Sequence, residues 1–586
     1  MQKNTLPLLL TALLTSTQAH ANSDYCVAIR GNGELAPAHW AGLSRLVEEK
    51  GMPKTMAGGS SATVTMLFAD SIASNPMFAK VEDEAKKRKM QGLLLKSLPQ
   101  FMATMGKEEG VTDAYTFMNE LANKNSPLVD KVKKAIERGG SQEEIKRAFG
   151  RFAPLVNPDM LRGLATKPDF FQKEGANALA VFGKFDAGND ANLFLRPGIV
   201  DFKAFAVMLG NVADFYAGNT DPATQAALEK ITQECAEPAY QKNWESVPDA
   251  ECKKKFEKLA AAYIKKGQFQ NKALFEPVGK NVGAIPTTAV VHGSAFTKFK
   301  DMQASYFNGD TSRDYSKFSL DFDRELSFGY WGSQQQLAKI DRGLEPLRRE
   351  GDLKSKKFKG IGPGNWFEVL STSPAEPGLA SLQPIPTNTS REKVLAEMRK
   401  APHQRWQGLE YKRNMLSAGG WSDLHPTGVL KASGCERIAY LTRKDGETVF
   451  GQQLFIRLTG QQEKVPFWAQ LREKNNEGWP VTGAAADSPW NKLYNLGNPN
   501  SSFNRALALA DATYCTNWNS FDVFQGQMWP MVAEAYAAPV FLRTGTPQDF
   551  RVNASSADIS KFPGCAPKTR ANSGSNPPPV SVDPAL

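Results

Sequence analysis

Two glycine-rich turns, each placed between a short apolar run and a periodic apolar stretch, constrain this chain more than any other feature. The first is Gly31-Asn32-Gly33, after Tyr25 to Ile29; the second is Gly58-Gly59-Ser60, after about Lys54 to Ala57. Beyond the first turn, Pro37 stands near the start of a stretch in which Trp40, Leu43 and Val47 recur at helical spacing until Gly51. That order matches the preference of helices for an early proline and a terminal glycine. Beyond the second turn, Val64, Leu67 and Phe68 continue an apolar helix. Two strand–turn–helix units in succession predict a parallel sheet covered by helices.

The N-terminus reads as an export signal. Lys3 supplies positive charge, Leu8 to Leu14 a mostly apolar run, and Ala19-His20-Ala21 a small-x-small cleavage site. The run is too short for a membrane span, which needs about 18 apolar residues, so cleavage after Ala21 is expected. Cys26 lacks the preceding small and apolar residues of a lipid-anchored cysteine. A soluble periplasmic or secreted protein follows. The formal charge is +10, hence +10 − 1 = +9 once Lys3 is removed. A basic exported chain favours peripheral contact with anionic membrane surfaces. No basic run interleaved with aromatics stands out, so no nucleic-acid partner is expected. The Lys86-Lys87-Arg88-Lys89 cluster reads as a solvated helix face.

Six cysteines (Cys26, Cys235, Cys252, Cys435, Cys515, Cys565) in an oxidising compartment predict disulfides. None forms a C-x-x-C pair, and no His/Cys/Asp/Glu cluster has ligand spacing, so neither a metal nor another cofactor is expected. Six cysteines allow about 15 full pairings. One pairing is local. Leu228, Ile231 and Cys235 share a helix face after Asp221-Pro222, while Cys252, Phe256, Leu259 and Tyr263 share another before Gly267. Those faces predict a helical hairpin stapled by Cys235–Cys252.

Length permits several domains. From about residue 71 to 280 the texture is helical: Ser126-Pro127 opens one helix, closed by Gly139, and Ser141 with Glu144 forms a capping box before Ile145 and Phe149. This is a large insertion suited to a lid or substrate-binding cap. Strand texture returns at Ile285 to Val291 and at Arg437 to Thr442, with Val449 to Leu458 as the second strand of a hairpin. The core is thus 22–70 and 281–460, followed by a C-terminal extension at 461–566. The tail 567–586, rich in Pro, Ser and Asn, reads as disordered.

A serine hydroxyl becomes nucleophilic only when a base removes its proton and donors hold the developing oxyanion. A nucleophile elbow presents that hydroxyl on a sharp strand-to-helix turn with small neighbours, which Gly58, Gly59 and Ala62 provide around Ser60. The amides of Gly31, Asn32 and Gly33 would form an anion nest at the start of the preceding helix. Phosphate binding by such turns is the rival reading, but Ala36 replaces the third glycine of the dinucleotide fingerprint.

Four motifs, in order, resemble those of the patatin-like phospholipase family. They are Gly31-Asn32-Gly33 through Leu43, Ala57 through Ala62, the small-residue and proline block Ser371 through Gly378, and Ala418-Gly419-Gly420-Trp421-Ser422-Asp423-Leu424-His425-Pro426 with Gly434 through Tyr440 behind it. The resemblance covers about 50 residues at the N-terminus and the span Ile285 to Thr442; the insertion and C-terminal segment lie outside it. It implies an α/β three-layer sandwich with a mainly parallel central sheet, and hydrolysis of lipid acyl esters by a Ser–Asp dyad.

Two departures bear on the chemistry. Leu35 stands where the family has an arginine, and Ala418 where it has the catalytic aspartate of its Asp-Gly-Gly motif. Asp423 is the nearest carboxylate and the preferred base, with a turn or helix-capping role as its alternative. His425, oriented by Asp423, is a second candidate base. Asp445-Gly446 is a third, more simply read as a hairpin turn. The expected protein is a serine acyl hydrolase acting on phospholipid or related esters. A catalytically impaired lipid-binding protein on the same scaffold, or an acyltransferase, is the alternative.

Overall fold

The computed structural model describes residues 23–31, 33, 36–105, 120, 126–155, 201–237, 250–291, 326–349, 357–375, 383–387, 389–401, 404–443, 506–507, 509–516 and 540–542. The export signal, the Val449 to Leu458 strand and the C-terminal tail lie outside these residues. Among them, ten strands form one sheet and twelve α-helices surround it.

The chain opens as expected from its glycine punctuation: β1 (Ser23–Ile29), α1 (Ala36–Lys50), β2 (Pro53–Gly59) and α2 (Ser61–Ser74). Cys26 to Ile29 of β1 are buried on both faces, as a central parallel strand requires. Gly51 ends α1 with φ +84°, a left-handed conformation that disfavours other residues. Every residue of α2 from Ser61 to Ala73 is buried, so this helix is enclosed by neighbours all round.

A helical region follows: α3 (Glu84–Met105), α4 (Pro127–Glu137), α5 (Gln142–Phe149), α6 (Phe202–Ala217), α7 (Pro222–Cys235) and α8 (Ala250–Lys266). Its starts are encoded locally. Ser126 caps α4 through the Val129 N–H, and Ser141 and Glu144 form the anticipated capping box on α5. The Cys235–Cys252 disulfide joins α7 to α8 at a Cα separation of 5.9 Å. At the start of α3, Lys86 pairs with Glu237 and Lys87 with Glu84.

The rest comprises β3 (Gly283–Val291), β4 (Leu326–Trp331), α9 (Gln334–Arg349), β5 (Lys357–Gly362), α10 (Trp366–Leu370), β6 (Gln383–Thr387), α11 (Arg391–Met398), β7 (Glu410–Ser417), α12 (Thr427–Ala432), β8 (Arg437–Arg443), β9 (Ala512–Thr516) and β10 (Val540–Leu542). The sheet order is β10-β9-β8-β1-β2-β3-β4-β5, with β7 also pairing β3, and β6 pairing β7. From β9 through β8, β1 and β2 to β3 the neighbours are parallel. Beyond them the sheet is mixed rather than mainly parallel: β4 and β7 both run antiparallel to β3. The segment after residue 460 adds β9 and β10 to this same sheet.

One face carries Val27, Ile29, Met56, Leu441 and Tyr514 against the apolar sides of α1, α2, α3 and α6. The opposite face carries Cys26, Ala28, Ala57, Ile285 and Tyr440 against Ile340 and Leu344 of α9 and Val429 and Leu430 of α12. The alternation along β1 follows the two-residue period of a strand. A second disulfide, Cys26–Cys435, ties β1 to the turn before β8 across 409 residues of sequence. Cys515 on β9 is disulfide-bonded as well.

The position of the site follows from β3. Gly283 to Thr287 pair with β2, and Ala289 to Val291 pair with β7, while β4 occupies the other edge. β2 and β7 therefore share one edge of β3 and approach it from opposite directions. Their C-terminal ends, Gly59 and Ser417, meet there. Asp70 on α2 fixes the entry to β3 by accepting the Asn281 and Val282 N–H groups, both at 2.8 Å, and Trp366 Nε1 at 3.1 Å.

Candidate functional site

Ser60 occupies the single residue between β2 and α2, with φ +56° and ψ −128°. A non-glycine residue in such a region costs on the order of 1–3 kcal/mol and persists only where neighbours enforce it. Here they do so from both sides. The Ser60 N–H donates to Ser373 Oγ at 2.8 Å, and the Ser60 carbonyl accepts from Thr63 N at 3.0 Å and Thr63 Oγ1 at 2.6 Å. The Ser60 side chain makes no capping hydrogen bond to α2. Its hydroxyl stands at the N-terminal end of that helix, where unpaired amides give positive potential.

Small residues are required by close approach. A Cβ on Gly31 would stand 3.0 Å from Gly59 O and 3.3 Å from Ser60 Cβ, so the first turn is pressed against the elbow. A Cβ on Gly59 would reach 2.4 Å from Thr287 Oγ1 and 2.6 Å from Gly419 Cα. Gly58 is packed equally tightly, its added Cβ meeting Ala62 Cβ at 2.5 Å. Gly31, Gly58, Gly59, Ser60 and Ala62 are thus brought together. Gly33 has φ +54° and is exposed. Asn32 lies outside the described residues.

Asp423 lies on the loop between β7 and α12. Its backbone carbonyl accepts from Thr287 Oγ1 at 3.4 Å, and its carboxylate accepts from the Tyr330 hydroxyl at 3.1 Å. Burial pushes its pKa up to about 6, against the lowering effect of the Tyr330 and His425 N–H hydrogen bonds. The next residue, Leu424, would touch a Cβ on Gly31 at 3.6 Å. The loop carrying Asp423 thus adjoins the elbow through its neighbours: Leu424 lies beside Gly31, and Thr287, bonded to the Asp423 carbonyl, lies beside Gly59. No hydrogen bond joins their side chains among the described residues. Ala418 is fully buried and brings no polar side chain to the meeting point.

His425 is buried and its Nδ1 is hydrogen-bonded to the Tyr440 hydroxyl. Burial, with the nearby Arg30 guanidinium, holds its pKa well below the usual imidazole range. His39 on α1 is likewise buried, and desolvation with Arg443 and Arg30 lowers its pKa to about 3. Both imidazoles are neutral at physiological pH. Asp445, His292 and His403 lie outside the described residues. Among those described, no group of three or more His, Cys, Asp or Glu side chains is arranged to hold a metal ion.

Three contributors to this geometry were not singled out from sequence. Thr287 and Tyr330 stand on β3 and β4, whose apolar texture gives no sign of a polar task. Ser373 lies in the small-residue block after α10, where its neighbours Ser371 and Thr372 are equally plausible by composition.

No family model matches the chain, and no curated protein and no solved structure matches it.

Proposed function

We propose that the chain is an exported serine acyl hydrolase of the patatin-like type, acting on acyl esters of phospholipids or related lipids. The observation that carries this reading is the enforced posture of Ser60, a nucleophile held at positive φ against a glycine turn. Ser60 Oγ attacks the ester carbonyl while Asp423 takes the hydroxyl proton. Amides of Gly31, Asn32 and Gly33, with the first turn of α2, stabilise the oxyanion. The tetrahedral intermediate collapses, the leaving alcohol takes the proton from Asp423, and an acyl ester of Ser60 remains. Water then attacks that ester, passing its proton through Asp423 to Ser60 Oγ. With a pKa of about 6, Asp423 is an ionised base at neutral pH and a stronger one than an ordinary carboxylate.

A patatin-like three-layer sandwich is the finer architecture proposed; the parallel block from β9 to β3 and the apolar packing on both sheet faces favour it. The disulfides fit an oxidising compartment, and no described helix is long and apolar enough to cross a membrane. The basic charge favours docking on anionic lipid.

Ala418 favours a second reading, a lipid-binding protein that has lost turnover. Release of fatty acid from phospholipid vesicles and of p-nitrophenol from short-chain esters separates the two. Hydrolysis abolished by Ser60→Ala supports the hydrolase; vesicle binding without hydrolysis supports the binding protein. Faster product formation on adding an alcohol acceptor would identify an acyltransferase.

A further inference from the structure

We propose that Ser373 is the positioning residue for the nucleophile, its hydroxyl holding the Ser60 backbone in the attacking posture; this rests on the hydrolase reading above. The hydrogen-bond polarity is fixed by chemistry. A backbone N–H only donates and a carbonyl only accepts. Ser373 Oγ therefore accepts from Ser60 N at 2.8 Å and donates its proton to Thr287 O at 2.7 Å. A hydroxyl does both at once; an alanine does neither.

The same residue reaches the loop carrying the base. The Ser373 carbonyl accepts the Gly419 N–H at 2.9 Å, and Gly419 lies against Gly59. Ser373 thus joins the elbow, β3 and the Ala418–His425 loop where the ends of β2 and β7 meet. It is itself well anchored. Its N–H donates to Val369 O at 2.8 Å at the end of α10, and the side chain is fully buried. Asn365 and Glu368 form a capping box at the other end of that helix. The short helix is therefore fixed at both ends, and the hydroxyl inherits that position.

Without this acceptor the Ser60 N–H would be left unpaired beside a backbone already in an unfavourable region. The chain would gain by relaxing φ, which swings Oγ away from the Gly31 turn. Ser373 touches neither substrate nor the reacting oxygen in this scheme. Its loss acts on kcat and leaves KM nearly unchanged.

The test compares Ser373→Ala and Ser373→Thr with the full-length secreted protein. It reads p-nitrophenyl ester kinetics and hydrogen exchange at the Ser60 amide, using overlapping peptides. Ser373→Ala is expected to lower kcat by about 10- to 100-fold, with KM within about two-fold, and to accelerate Ser60 amide exchange. Ser373→Thr, which keeps the hydroxyl, is expected to recover most of both. Wild-type kcat and wild-type exchange in Ser373→Ala would overturn the proposal. So would equal defects in the two variants when both melt like the parent protein. Exchange reports the clamp whether or not ester is cleaved. A wild-type protein that hydrolyses nothing, yet loses Ser60 protection in Ser373→Ala, would sink the hydrolase reading and leave the clamp standing.

Discussion

On one edge of β3, β2 ends in the Ser60 elbow and β7 ends in the Ala418–His425 loop, and the two are held by different means. The elbow is bounded by regular elements on both sides, with glycines packed so closely that a methyl group finds no room. The loop carrying Asp423 departs from β7, shares the Ser373 anchor through the Gly419 N–H, and takes further hydrogen bonds from side chains of other strands, Thr287 and Tyr330. In the proposed mechanism the nucleophile needs an invariant direction, which glycine packing and the Ser373 hydroxyl supply. The base in that mechanism needs a tuned pKa, which burial raises and the Tyr330 hydroxyl and His425 N–H lower. The stiff half and the tuned half should respond differently to substitution.

The largest effect falls on the nucleophile. Ser60→Ala should reduce ester hydrolysis by about a thousand-fold or more, as removal of an attacking serine does elsewhere, with an unchanged melting temperature. Asp423→Asn should follow, costing about 10²- to 10⁴-fold, the usual contribution of a general base. His425→Ala, measured beside it, should stay within about ten-fold if the carboxylate is the base; the reverse ranking assigns the imidazole instead. Gly59→Ala probes the packing directly and should destabilise the protein by about 1–3 kcal/mol through overpacking against Thr287 and Gly419, read by denaturant unfolding.

Tyr330→Phe should have the smallest effect and sharpens the contrast most. Its hydroxyl favours the ionised form of Asp423, so removing it raises a pKa already near 6. Activity that requires the carboxylate is lost as pH falls through that value. The acid limb of the kcat profile should therefore move to higher pH, while the plateau above it changes little. An unmoved limb would detach Tyr330 from the base.

The elbow half was legible in sequence because its signals are local. Gly31, Pro37, Gly51 and Gly58-Gly59-Ser60 punctuate two strand–helix units whose apolar spacing is regular. The α7–α8 staple was legible for the same reason, since two helix faces 17 residues apart present one cysteine each. The Cys26–Cys435 bridge was not. It exists because β8 lies beside β1, a pairing that no local pattern records. β6 was hidden by its composition: Pro384 and Pro386 argue against a strand, and are accommodated because β6, among the described strands, pairs β7 alone. The antiparallel returns of β4 and β7 depend on long-range pairing and give the sheet its mixed character.

The base illustrates the same divide. Residue order placed Asp423 near the expected position but left His425 as a rival. Burial of His425 against Tyr440, and the low imidazole pKa that follows, favours the carboxylate. Ser373 lay inside a block the sequence did mark, Ser371 through Gly378, but its bond to the elbow from 313 residues away is visible only once the chain is folded.

The most direct examination of Ser60 as an activated nucleophile is covalent labelling of the full-length secreted protein with a fluorophosphonate, mapped by peptide mass spectrometry. A single adduct on Ser60, absent from heat-denatured protein and from Ser60→Ala, is the expected result. An unmodified Ser60 in folded protein, or equal labelling of the Ser60→Ala variant, would contradict the serine mechanism.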